Sequence, residues 1–194
     1  MSAQSQTTTT TNTPPWLTLS VFTENHTGLL ARVASVFTRR GVNIESLTVS
    51  ASEVPGVHRF TIVVAVPRPM ADQLVLQLEK QVEVIKAFVH ADDDVIARDL
   101  ALYKIEAGAR LLPGFAGVLE AHGARVLEQE PAFMVVEKTG TQAETSALLA
   151  ALHPYGVLEF VRSGRVALTR PMRKLVEFLA EFDEIRRAAD TAEG

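Results

Sequence analysis

The 194-residue chain has no cysteine, which excludes a disulfide framework, thiolate-ligated zinc, an iron–sulfur cluster and a thiol nucleophile. Aromatic residues are few: nine Phe, two Tyr and one Trp. That is a poor supply for a surface that stacks nucleobases. Basic residues are outnumbered by acidic ones, 19 to 23, for a net charge of -4, against the excess of Lys and Arg that neutralises a phosphate backbone. No apolar run approaches the roughly 18 uninterrupted residues of a membrane-spanning helix. Walker loops, dinucleotide glycine fingerprints and Gly-x-Ser-x-Gly elbows are missing. The five histidines, His26, His58, His90, His122 and His153, never fall at the i, i+3 or i, i+4 spacing that puts two ligands on one helix face. What the chain does have is apolar material, 47% of its residues, enough for a packed core.

Residues 1–15 are, apart from Met1 and Ala3, Ser, Thr, Gln, Asn and Pro, with a run of threonine from Thr7 to Thr11, and are expected to be a disordered tail. The tail carries neither Lys nor Arg nor an apolar stretch, so it resembles neither a secretory signal nor a transit peptide. A bacterial cytoplasmic location is the expectation.

From Leu17 the pattern becomes regular. Leu17, Leu19 and Val21 alternate with Thr18 and Ser20, the period of a half-buried strand. Leu29, Leu30, Val33, Val36 and Phe37 then mark a helix closed by Arg39, Arg40 and Gly41. Val42–Val49 and Val57–Val66 read as a hairpin around Pro55-Gly56, with Phe60, Ile62, Val64 and Val66 on one face. Ala71, Leu74, Val75 and Leu78 supply a second helix, and Val84–Val89 a fourth strand. The order βαββαβ over 16–90 implies a four-stranded antiparallel sheet with helices on one face, the ferredoxin-like plan.

Residues 91–97, with Asp92-Asp93-Asp94, read as a solvated linker; a magnesium site would need a second carboxylate cluster at a defined spacing. The rhythm then repeats over 98–170: strands at Leu100–Ile105, Arg125–Leu127, Phe133–Val136 and Val157–Val161, helices at Pro113–Ala121 and Ala143–Leu152, and a possible edge strand at Arg165–Thr169. Over 171–194, Met172, Leu175, Val176, Leu179 and Phe182 form the stripe of an amphipathic terminal helix. The expected class is thus α+β, two ferredoxin-like units and a C-terminal helix. Charge divides with them: 16–90 carry 7 basic and 6 acidic residues, 91–194 carry 12 and 17.

One segment stands out chemically. Glu24-Asn25-His26-Thr27-Gly28-Leu29-Leu30 joins a strand to a helix start, where unsatisfied N–H groups and the positive end of the helix dipole suit a carboxylate or phosphate. Gly28 lets a ligand approach the backbone, Asn25 offers donor and acceptor, and Thr27 is a candidate N-cap. A plain tight turn explains the same residues. Asn43, at the expected start of the second strand, reads equally as a turn residue. The two segments could bracket a small amino acid if the second strand of one subunit faced the loop of another.

Thr23–Val33, followed by Phe37–Val49 with Asn43-Ile44-Glu45-Ser46-Leu47 after Arg39-Arg40-Gly41, closely resembles the ACT domain of the small, regulatory subunit of acetohydroxyacid synthase (acetolactate synthase). Arg98–Leu102 and Arg162–Arg170 resemble the opening and close of that family's C-terminal ACT-like domain. The first helix of that domain looks shortened, to Ala109–Ala121. The resemblance implies a protein without catalytic residues that binds and activates a large catalytic subunit and confers feedback inhibition by valine or a related branched-chain amino acid. Thiamine diphosphate, FAD and magnesium would belong to that partner, and no cofactor or metal to this chain. Two ACT domains would pair as a homodimer with the effector at the seam. There the N–H groups of His26 to Leu29 would take its carboxylate, Asn25 and Asn43 its polar ends, and Leu30 and Ile44 its side chain. The alternative function is a free-standing ACT sensor acting on a different enzyme.

Overall fold

The computed structural model describes residues 15–170 and 175–192, side chains at 176 and 185–192 excepted. The expected tail, apart from Pro15, and Met172 of the terminal stripe lie outside the described residues.

β1 (Trp16–Glu24), α1 (Leu29–Arg39), β2 (Ser46–Ala51), β3 (Val57–Ala65), α2 (Arg68–Leu78) and β4 (Val84–His90) form the first unit. Its sheet has the order β2-β3-β1-β4, with β3 and β4 antiparallel to β1 and β2 antiparallel to β3. Leu19, Val21, Ile62, Val64, Val33, Phe37, Leu74 and Leu78 close the core between sheet and helices.

Two expectations shift here. β1 is not half-buried: Thr18 and Ser20 are 0% exposed. Ser20 Oγ accepts from Arg59 at 2.9 Å, and Thr18 Oγ1 accepts from Arg165, of the second unit, at 2.9 Å. Alternating polarity marks which face could meet water; a segment nearly 150 residues downstream covers that face instead. β2 begins at Ser46, not Val42. The Gly41 N–H bonds the Thr38 carbonyl and the Val42 N–H the Phe37 carbonyl, the paired bonds that end a helix on a left-handed residue, here Gly41 at φ 62°. The Val42 N–H is therefore spent on the helix, and the ladder starts later.

The second unit holds β5 (Val95–Glu106), α3 (Phe115–Ala121), β6 (Arg125–Gln129), β7 (Phe133–Gly140), α4 (Gln142–Leu152), β8 (Val157–Arg162) and β9 (Val166–Thr169). Its order, β6-β7-β5-β8, repeats the first sheet strand for strand. Tyr103, Ile105, Met134 and Val136 of the sheet are fully buried with Leu148 and Leu152 of α4, and the Tyr103 hydroxyl donates to the Thr145 carbonyl at 2.7 Å. A 3-10 turn at Ala107–Leu111 precedes α3; Pro113 and Gly114 (φ 85°) separate the two. The stretch read as a linker contains a 3-10 turn at Asp92–Asp94 and the start of β5, whose Val95–Arg98 pair with β9. Asp92 is an ion-pair partner of Arg165 at 2.8 Å.

α5 (Leu175–Ala192) returns to the first unit. Leu175, Leu179 and Phe182 pack on Phe22, Val57 and Ile85, and Phe178 meets the Phe88 ring edge-on at 5.2 Å. Its apolar stripe thus covers the face of the first sheet that α1 and α2 leave open. No helix among the described residues is long and apolar enough to cross a membrane.

Candidate functional site

The β1–α1 loop sits on open surface. Asn25, His26, Thr27 and Gly28 are exposed, Leu29 is turned into the core, and Leu30, one residue on, is 50% exposed. Leu30 belonged to the helical stripe in the sequence, but a position next to a buried one is about 100° away around the helix and falls at the stripe's margin. An exposed leucine beside the loop suits contact with a small apolar ligand or with another copy.

The helix cap is Gly28, at φ 82°, and no side chain caps α1, so Thr27 does not serve as N-cap. Only the Leu29 N–H is tied back locally, to the His26 carbonyl at 3.3 Å. The N–H groups of the first turn have no intrahelical acceptor, and they project from a 11-residue helix. The Arg32 guanidinium lies nearby: a Cβ built on Gly28 would come within 3.9 Å of its Nη1. Two carboxylates temper the positive field, Glu83 paired with Arg32 and Glu24 paired with His26 at 3.1 Å. The Asn25 N–H bonds the Gly56 carbonyl at 3.1 Å, anchoring the loop to the β2–β3 turn.

Asn43 and Ile44 lie outside any strand, in the approach to β2; Asn43 is exposed and Ile44 half-buried against the core. Within one chain they are far from the loop. Glu24 is level with Val57, whereas Ser46 is level with Val63, six residue steps along β3 or roughly 20 Å at about 3.4 Å per residue. The structure therefore brings Asn25 to Leu30 together at one end of the sheet and leaves Asn43 and Ile44 at the other.

β2 ends its sheet, so one of its backbone edges is free to pair. Antiparallel pairing with β2 of a second copy about a two-fold axis reverses one sheet relative to the other. The Asn43–Ile44 approach of one copy then lies at the end where the other carries its loop.

The second unit has the same loop in reduced form. Gly114 caps α3 with φ 85°, matching Gly28. The Tyr155 hydroxyl stands 3.1 Å from where a Gly114 Cβ would be and bonds the Pro113 carbonyl, so the place is filled. α3 itself has seven residues. The start of α1 thus stays open where the equivalent start of α3 is covered.

Sequence reasoning placed the boundary between the units near 91–97 but gave no hint of a cleft. There a cleft of about 680 Å³ is lined by Trp16, Asp92, Arg98, Asp99, Arg165 and Arg170 among others. Burial pushes the Asp99 carboxyl up, against the opposing pull of Arg162 and Arg165. Among the described residues no three His, Asp or Glu side chains converge as a metal site.

Comparison with known proteins agrees with this architecture. Residues 19–86 match the family model of the AHAS small subunit-like ACT domain, and residues 98–171 that of the small subunit of acetolactate synthase. The acetolactate synthase small subunit of Mycolicibacterium smegmatis is 40% identical over 162 residues, 84% of this chain and 95% of that protein. The Bacillus subtilis small subunit is 36% identical over 79% of this chain and 89% of its own length. The crystal structure of the Thermotoga maritima small subunit superposes with a TM-score of 0.73 at 28% identity, covering 81% of this chain and 99% of that one. With both units matched in sequence and in fold, the chain belongs to the acetolactate synthase small-subunit family, its first unit an ACT domain.

Proposed function

We propose that this chain is the regulatory subunit of acetohydroxyacid synthase in branched-chain amino acid biosynthesis. It binds and activates the catalytic subunit and confers feedback inhibition by valine, or a related branched-chain amino acid, held at a seam between two ACT domains. Thiamine diphosphate, FAD and magnesium belong to the catalytic partner. The observation that carries the reading is the exposed, uncapped start of α1 behind Gly28, whose first-turn amides are open to a carboxylate, at the end of the sheet opposite Asn43 and Ile44. In this reading the amides around His26 to Leu29 take the ligand carboxylate, with Arg32 adding favourable field. Asn25 of one copy and Asn43 of the other take the polar ends, and Leu30 and Ile44 enclose the side chain. A ligand shared by two copies stabilises one mutual arrangement over others, and a coupling of about 1 to 3 kcal/mol suffices for regulation.

Complementation tests the shared site. Asn25→Ala and Asn43→Ala homodimers should each bind valine weakly. A heterodimer of the two concentrates both substitutions in one site and leaves the other intact, so calorimetry should recover about half the normal stoichiometry at normal affinity. Failure to recover any tight binding would remove the shared-site reading. Copurification with an enzyme other than a thiamine-dependent subunit would favour a free-standing sensor instead.

A further inference from the structure

The turn Ser163–Arg165, between β8 and β9, reaches out of the second unit and grips β2 of the first. The Arg165 N–H donates to Ser46 Oγ at 3.0 Å, and the Arg165 carbonyl accepts from Thr48 Oγ1 at 2.6 Å. The Arg165 side chain, 12% exposed, donates from Nη1 to Thr18 Oγ1 on β1 and pairs with Asp92. Gly164, at φ 82°, sits so close to β2 that a Cβ there would come within 2.8 Å of Ser46 Oγ and 3.2 Å of Thr48 Cγ2. Beside the turn the boundary opens into the cleft of about 680 Å³ and another of about 370 Å³, and Arg165 lines both. Among the described residues, the hydrogen bonds from β2 side chains to the second unit thus go to this turn.

The strand it grips is the one that leaves the effector segment: Ser46 follows Asn43, Ile44 and Glu45 directly. Leu47 packs into the core, while Ser46 and Thr48, on the other face of the strand, hold the turn. We propose that the Ser163–Arg165 turn is the coupling element that carries effector occupancy at the start of β2 into the second unit, with Arg165, Ser46 and Thr48 acting as positioning residues that touch no ligand. This rests on the reading of Asn43 and Ile44 as effector contacts. A ligand that shifts the entry to β2 moves Ser46 and Thr48 with it. Hydrogen bonds weaken steeply with misalignment, and Gly164 leaves no gap on the β2 side, so the turn must follow. β9 begins at Val166, immediately after it, and pairs with the first half of β5. The shift therefore enters the second sheet at once. α5 also contacts the first unit, but it packs near Phe22 and Val57, at the end of the sheet remote from Ser46.

The test uses the full chain reconstituted with its catalytic subunit, comparing the Ser46→Ala/Thr48→Val double variant with Leu175→Ala, which loosens α5. Valine is titrated by calorimetry and by inhibition of activity, and hydrogen exchange is followed over 95–98 and 166–169 with and without valine. The double variant should bind valine within about threefold of the unsubstituted chain while the response to saturating valine falls about fivefold or more, the scale of losing one to two neutral hydrogen bonds. Its exchange over 166–169 should rise without ligand and stop responding to valine. Leu175→Ala should keep the response. Full inhibition in the double variant, or unchanged exchange, overturns the coupling role. Absence of valine binding by the unsubstituted chain overturns the effector reading and the coupling built on it, and the binding titration distinguishes that failure from failure of the clasp.

Discussion

Gly28→Asp separates ligand recognition from folding, because the structure allows its cost to be divided. The residue adopts φ 82°, where an L-residue costs about 1 to 2 kcal/mol, Asp being among the best tolerated. Nothing blocks the Cβ: the nearest atom is the tip of the flexible Arg32 side chain at 3.9 Å. The fold should therefore survive with about 1 kcal/mol less stability, readable by urea denaturation. Recognition should suffer far more. The new carboxylate competes for the same first-turn amides and Arg32 and repels an incoming carboxylate. Charge-assisted hydrogen bonds are worth about 1.5 to 3 kcal/mol each, so losing even two weakens valine at least about 100-fold. Gly28→Ala carries the same backbone strain without the charge and should bind at least about tenfold more tightly than the aspartate variant. Calorimetry gives the affinities, and reconstituted activity shows whether activation of the catalytic subunit persists without feedback. A folded Gly28→Asp chain whose valine affinity stays within about threefold of normal would refute the assignment of the carboxylate to this helix start.

Val49→Lys, on the free edge strand where Val49 is 43% exposed, should shift the chain from dimer to monomer in light scattering and weaken valine in parallel, since an edge lysine opposes strand pairing; a stable dimer would place the seam elsewhere. Burial pushes the Tyr103 phenol up to about 12, so its contribution to stability is whole below the unfolded value of about 10 and is lost as pH rises from about 10 to 12. Tyr103→Phe should remove that alkaline loss and, by deleting the bond to the Thr145 carbonyl, cost about 1 kcal/mol at neutral pH; an unchanged alkaline transition would contradict this. Leu175→Ala should cost about 2 to 5 kcal/mol in thermal or urea unfolding, because Leu175 is 2% exposed against Phe22, Val57 and Ile85. A cost under about 0.5 kcal/mol would mean that α5 is not docked there in solution.

The sequence by itself determined the element order, because the signals are local. Period 2 marks β3, period 3.6 marks α1 and α2, and Gly41 and Pro67 stop or start helices through backbone constraints that need no tertiary partner. The loop from Asn25 to Leu30 was legible for the same reason: a strand end, a glycine and a helix start are adjacent in the chain. Tertiary structure decided what local pattern cannot carry. Thr18 and Ser20 read as water-facing until Arg165 and Arg59 were seen to cover them, and the apolar stripe of α5 had no address until it met Phe22 and Ile85. The distance between Asn25 and Asn43 is likewise a matter of register. Strand order β2-β3-β1-β4 makes β2 parallel to β1, so a segment entering β2 lies at the opposite end of the sheet from one leaving β1. The same order leaves β2 at the edge, free to meet a second copy. Hydrophobic periodicity records which face of an element is buried, not which element buries it or which end of a sheet a loop occupies; those are properties of pairing between residues far apart in the chain.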